Sequence, residues 1–193
     1  MLRSVQVFAA VFVVFLFSGL SMAQQTPAAQ HVDVPAIAPR AEDVASIDGI
    51  VKAFYAVISG PAGQARQWSR DRTLYTADIR FVSMSVDKAG HPKANIVSHQ
   101  QYVDGSNAIL LKEGLYENEI HRVTEKFGNI AHVFSTYESQ LKADGPVTAR
   151  GINSIELFYV GKRWWIASAI WDEERADNPL PPEYLPEIDS LKK

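Results

Sequence analysis

Four polar side chains on the strand-like segments of the C-terminal half, Arg122, Tyr137, Asn153 and Asp172, have the types and spacing to do chemistry in this 193-residue chain. A carboxylate such as Asp172 becomes a useful acid or base when apolar walls tune its pKa, and it could then move a proton next to a carbonyl. Tyr137 offers a hydroxyl to a substrate oxygen, and the Arg122 guanidinium could orient a carboxylate or an enolate. Asn153 is the most informative of the four. An amide on an aliphatic strand costs about 1–3 kcal/mol to desolvate unless it is hydrogen-bonded, so it needs a partner, either backbone or ligand. Each of the others has a plainer reading. Arg122 and Asp172 could pair with each other or with the sheet rim, and Tyr137 could bury its ring with the hydroxyl satisfied at the margin.

Two further side chains join the candidate ligand contacts. Trp68, on a short helix, could close a cavity as an aromatic wall, and His99, near a helix start, could reach a pocket mouth or stay solvated. His121 and His132 fall on the opposite strand parity, near Glu119 and Glu125, and His132 with Glu125 reads as a cross-strand pair rather than a metal site. No zinc-type spacing, nucleophile elbow or phosphate loop occurs, so neither metal nor cofactor is expected. The chain has no cysteine, hence no thiol nucleophile and no disulfide. A net charge of −3 with scattered Lys and Arg argues against a nucleic-acid surface.

Helices and strands must position these groups. Ser46 is suited to cap a helix over residues 47–58, where Ile47, Ile50, Val51, Phe54, Val57 and Ile58 recur at helical spacing. A shorter helix is expected over 64–74, a strand over 79–86, a loop over 87–95, and a further helix after Ser98. From Tyr116 onward the sequence predicts long strands, 116–127, 130–141, 147–160 and 163–173, joined by Gly128-Asn129, Asp144-Gly145-Pro146 and Gly161-Lys162. Helices that pack on such a meander make an α+β domain.

The last strand, GKRWWIASAIWD, is apolar on both faces. Strict alternation from the Gly161-Lys162 turn places Trp164, Ile166, Ile170, Asn153 and Asp172 on one face. The other face collects Trp165, Ala167, Ala169 and Trp171. The first face suits a helix-covered core. The second is flat and edged by tryptophans, with no spare helix to cover it, and predicts a homodimer through the sheet.

Phe54-Tyr55, Asp78-Ile-Arg-Phe-Val82, the run Phe127 to Tyr137, Arg150-Gly-Ile-Asn-Ser-Ile155 and Gly161-Lys-Arg-Trp-Trp-Ile166 with Trp171-Asp172 resemble the NTF2-like superfamily. The likeness is to its SnoaL-like or ketosteroid-isomerase-like branch in an exported bacterial form. It spans residues 43–174 and implies a cone of helices on a strongly curved antiparallel sheet, a pocket between them, and commonly a dimer through the sheet. The Ala-x-Val-x-Ser-x-Tyr alternation of residues 131–137 matches the pocket side in that family, which puts Arg122 and Tyr137 with Asn153 and Asp172 in one cavity. Ketosteroid isomerases use an Asp base opposite a Tyr and a second acid, and scytalone-dehydratase-like members use a His and Asp pair with tyrosines. Neither set aligns in full, and a second acid for an epoxide-hydrolase-like site is missing from the assigned face.

Residues 1–23 have the layout of a secretory signal peptide, with Arg3, an apolar run from Val5 to Leu20 and a cleavage site after Ala23. An uncleaved anchor is the alternative. Residues 24–42 read as a flexible tether and 175–193 as a Pro-rich tail, with a periplasmic or secreted location. Three functions stand: a binder of a small, largely apolar molecule, a lyase or isomerase using Asp172, and a pocketless envelope interaction module. A cavity below about 300 Å³, the lower end of ordinary ligand sites, would take most of the support from the first two.

Overall fold

The computed structural model describes residues 30–187. The expected signal peptide, residues 24–29 of the tether and residues 188–193 of the tail lie outside the described residues. In chain order the elements are α1 (Ala41–Val44), α2 (Ile47–Ile58), α3 (Trp68–Arg72), β1 (Tyr75–Val86), β2 (Pro92–Ser98), α4 (His99–Glu113), β3 (Tyr116–Phe127), β4 (Ile130–Gln140), β5 (Val147–Val160) and β6 (Arg163–Glu173), then a single 3-10 turn at Pro182–Tyr184. The six strands form one curved sheet in the order β2-β1-β6-β5-β4-β3, antiparallel throughout except where β1 runs parallel to β6. Four helices pack against it, so the fold is α+β.

Local chemistry accounts for the helices. Ser46 accepts a hydrogen bond from the Gly49 amide at 3.0 Å, and the α2 stripe Ile50, Val51, Phe54, Val57 and Ile58 is buried. At α4, Ser98 and Gln101 close a capping box. The expected loop over 87–95 is corrected: its second half belongs to β2, which turns back at Gly90 to pair with β1. The helix expected over 64–74 is only α3, because Leu74 and Tyr75 turn their side chains into the core as β1 begins.

Two β-bulges control which residues face the helices. Each adds one residue to one strand and so reverses its alternation beyond that point. On β3 the register slips at Ile120: Arg122 opposes Ser135, but Glu119 opposes Tyr137. Glu117 and Glu119 therefore turn to the helix side. On β6 it slips at Ala167: Leu157 opposes Ile166, but Asn153 opposes Trp171. The expected face of Trp165, Ala167, Ala169 and Trp171 is thus corrected. Trp165 and Ala167 stay on the outer side, whereas Ala169 is fully buried and Trp171 points toward the helices. Ile170, expected in the core, is 41% exposed on the outer face.

The described parts of both flanking segments lie on the domain. In the tether, the Val32 amide donates to Asp104 Oδ1 at 2.8 Å and Gln100 Nε2 donates to the Val32 carbonyl at 2.8 Å, so this part follows α4. In the tail, Thr136 Oγ1 donates to the Tyr184 carbonyl at 2.7 Å, and the Tyr184 ring packs edge-on to Phe134 with centroids 4.9 Å apart. The tail thereby covers part of the outer sheet face.

Candidate functional site

A cavity of about 270 Å³ lies between α2, α4 and the concave side of the sheet. One side is aromatic. Tyr75 and Phe81 from β1 meet edge-on at 5.0 Å, Phe81 packs on Tyr102 of α4 at 5.0 Å, and Tyr102 meets Trp171 of β6 at 6.3 Å. Phe54 and Ile58 of α2 complete the apolar wall. The other side is polar and comes from the sheet: Glu117, Tyr137, Ser139 and Asn153, with Glu173 at an exposed position on the lining. Such a cavity can hold a small apolar body and offer hydrogen bonds to one edge of it.

Glu117 is the most perturbed acid of the site. Its carboxylate receives one hydrogen bond, from Ser139 Oγ at 3.0 Å, and the half-buried residue lines both the cavity and the groove beside it. Burial, with a smaller push from the charge of Glu173, raises its pKa from 4.5 to about 7 against the opposing Ser139 bond. Tyr137 is shifted far upward by burial and then by the charges of Glu117 and Glu173, so its phenol stays protonated and can donate. Gly151 makes room for it. A Cβ there would sit 2.7 Å from Tyr137 Oη and 2.4 Å from the Asp172 carbonyl.

Asn153 is 3% exposed and has found a side-chain partner. Its Nδ2 donates to Tyr55 Oη at 3.1 Å, Tyr55 and Ser135 share a hydrogen bond of 2.7 Å, and Ser135 Oγ donates to Glu119 Oε1 at 2.5 Å. Arg122 grips Glu119 through Nε at 2.8 Å and Nη2 at 2.5 Å, and reaches Asp48 at 2.6 Å. The chain runs from the cavity to an open groove lined by Asp48, Lys52 and Arg122, onto which Glu117 also opens.

Of the residues singled out in the sequence, Tyr137 and Asn153 line the cavity and four do not. Arg122 sits at the groove end of the chain. Asp172 is turned outward by the Ala167 bulge and pairs with Arg175 at 2.5 Å. Trp68 stands behind Tyr102, with its Nε1 donating to Asn107 Oδ1 at 2.8 Å. His99 is buried behind Tyr75 and Phe81, where its Nε2 bonds Asp71 Oδ2 at 2.9 Å while Tyr75 Oη donates to Asp71 Oδ1 at 2.8 Å. A His and Asp pair with a tyrosine therefore does form, but only Tyr75 of the three lines the cavity. Sequence reasoning missed Glu117, Glu119 and Tyr55. The available signals were the alternating acids of Tyr116-Glu-Asn-Glu119 and a tyrosine inside the apolar stripe of α2.

Three solved structures resemble this architecture. A protein of unknown function with a cystatin-like fold from Nostoc punctiforme superposes with a TM-score of 0.51 at 7% identity, covering 67% of this chain and 90% of that one. A structure named for the beta subunit of an aromatic-ring-hydroxylating dioxygenase from Novosphingobium aromaticivorans gives 0.51 at 14%, covering 67% and 87%. An NTF2-like protein of unknown function from Shewanella baltica gives 0.45 at 11%, covering 67% and 92%. The fold is NTF2-like. At these identities the likeness is one of fold alone, and an NTF2-like scaffold carries many unrelated activities. No protein-family model matches the sequence, and no curated protein matches it.

Proposed function

We propose that this NTF2-like domain is exported and binds a small, largely apolar molecule of one or two rings. The observation that supports the reading is the cavity itself, walled by Tyr75, Phe81, Tyr102 and Trp171 and polar on one side only. Its volume of about 270 Å³ falls below the roughly 300 Å³ that marks the lower end of ordinary ligand sites, which counts against the reading and restricts it to an occupant smaller than a drug-sized molecule. A library of one- and two-ring aromatics screened by thermal shift tests this. A ligand at about 100 times its Kd adds about 2.7 kcal/mol, which raises the Tm by roughly 5–10 °C. The rise should vanish in Trp171→Ala and persist in Asp172→Asn, whose carboxylate points away from the cavity. Loss of the shift in Asp172→Asn alone would reject this placement of the ligand.

One feature favours a second reading, a lyase or isomerase. An acid whose pKa lies near 7 is suited to taking and returning a proton at neutral pH, and Glu117 on the cavity wall has that property, whereas Asp172 does not line the cavity. Under this reading Glu117→Gln keeps ligand affinity and loses turnover.

A homodimer through the outer sheet face is also part of the proposal. A row runs across all six strands as Val123, Phe134, Ser154, Ile170, Val82 and Ile96, and within it Val123, Ile170 and Ile96 are exposed. Sedimentation of Ile170→Glu should then show a monomer where the parent shows a dimer; unchanged association removes this interface.

A further inference from the structure

An asparagine amide has a donor end and an acceptor end, and the chain behind Asn153 decides which of them faces the cavity. Arg122 places two N–H groups on Glu119, which holds that group as a carboxylate able only to accept. Ser135 has one hydroxyl proton and gives it to Glu119. Its oxygen must then accept from Tyr55, so the single Tyr55 proton points to Ser135. Tyr55 Oη is left as an acceptor, and the group that meets it can only be the amide nitrogen of Asn153. The opposite amide orientation would set two oxygens against each other with no proton between them.

We infer that Asn153 presents its carbonyl Oδ1 to the cavity, and that the ligand carries a hydroxyl or N–H donor at that point. The inference rests on the cavity being a ligand site. It makes Glu119, which lies on the groove side and touches no ligand, a positioning residue whose charge fixes the direction of every bond in the chain. It also makes the site selective. A ligand with an ether, halogen or ketone at that position leaves a buried acceptor unpaired, the situation in which binding sites discriminate most strongly.

Calorimetric titration of the full chain at pH 7 with 2-naphthol and its near-isostere 2-fluoronaphthalene tests this. The parent should bind 2-naphthol about tenfold more tightly, the value of one neutral hydrogen bond to a buried acceptor. Asn153→Leu should bring the ratio to about one while still binding 2-fluoronaphthalene. Glu119→Gln can accept from Ser135 or donate to it, so the chain loses its fixed direction and the ratio should fall below about threefold. A ratio near one in the parent, or a preference that survives Asn153→Leu, overturns the inference and leaves the cavity as a binding site. Failure of the parent to bind either naphthalene removes both.

Discussion

Asp71→Ala is expected to destabilise the protein by about 3–5 kcal/mol, the usual consequence of removing one member of a buried polar cluster. Asp71 has no exposed surface and ties three elements together: its own α3, β1 through Tyr75 Oη at 2.8 Å, and α4 through His99 Nε2 at 2.9 Å. A carboxylate can only accept here, so the His99 proton sits on Nε2. With alanine in its place, the His99 and Tyr75 donors stay buried without a partner, each at a cost of about 1–3 kcal/mol. Asp71→Asn keeps one acceptor and loses the other, so its loss should be about half as large. The comparison matters because a domain of this size has only about 5–15 kcal/mol to lose. Urea unfolding with an unchanged m-value is the measurement. Ligand affinity should fall along with stability, since Tyr75 forms part of the cavity wall. A loss below 1 kcal/mol for Asp71→Ala would mean that the cluster does not hold α3, β1 and α4 together.

How much of this site was readable from sequence follows from where the two bulges fall. The bounds of β3, β5 and β6 agree with the sequence reading, and β4 differs by one residue, because Gly128-Asn129 and Gly161-Lys162 fix the hairpins. Gly161 and Lys162 both adopt positive φ, 65° and 66°, as a tight two-residue hairpin turn demands. Counting outward from such a turn gives the correct face until a strand takes an extra residue. Val133, Ser135, Leu157, Trp165 and Ile166 lie before that point and their faces are legible. Glu117, Glu119, Ala169, Trp171 and Asp172 lie beyond it and are reversed. Ile120 and Ala167, the inserted residues, are neither glycine nor proline and leave no mark in the sequence. Tyr137 and Asn153 keep their expected faces for a physical reason: they stand on β4 and β5 at positions where those strands carry no extra residue. On the outer face the chain's own tail covers Phe134, which strand alternation does not disclose, while Val123, Ile170 and Ile96 stay exposed.

Glu117→Gln is expected to remove one pH-dependent contribution to stability that the parent carries between about pH 4.5 and 7. The fold raises the pKa of Glu117 from 4.5 to about 7, so between those values the native state holds a proton that the unfolded chain has released. Stability therefore falls as pH rises through this interval. The contribution is fully present below pH 4.5 and is lost above about pH 7. At 1.36 kcal/mol per unit the total change approaches about 3 kcal/mol. Glutamine is isosteric with the protonated acid and can still accept the Ser139 hydroxyl, so the variant should match the parent near pH 5 and exceed its stability at pH 8. Urea midpoints measured from pH 5 to 8 on both proteins decide it. The shifted tyrosines, Tyr55, Tyr75, Tyr102 and Tyr137, are all pushed further above this range and do not contribute within it. Parallel curves for the two proteins would show that Glu117 ionises at an ordinary carboxylate pKa. The acid–base reading of the cavity would then lose its proton carrier, while the binding reading, which rests on the aromatic wall and Asn153, would stand.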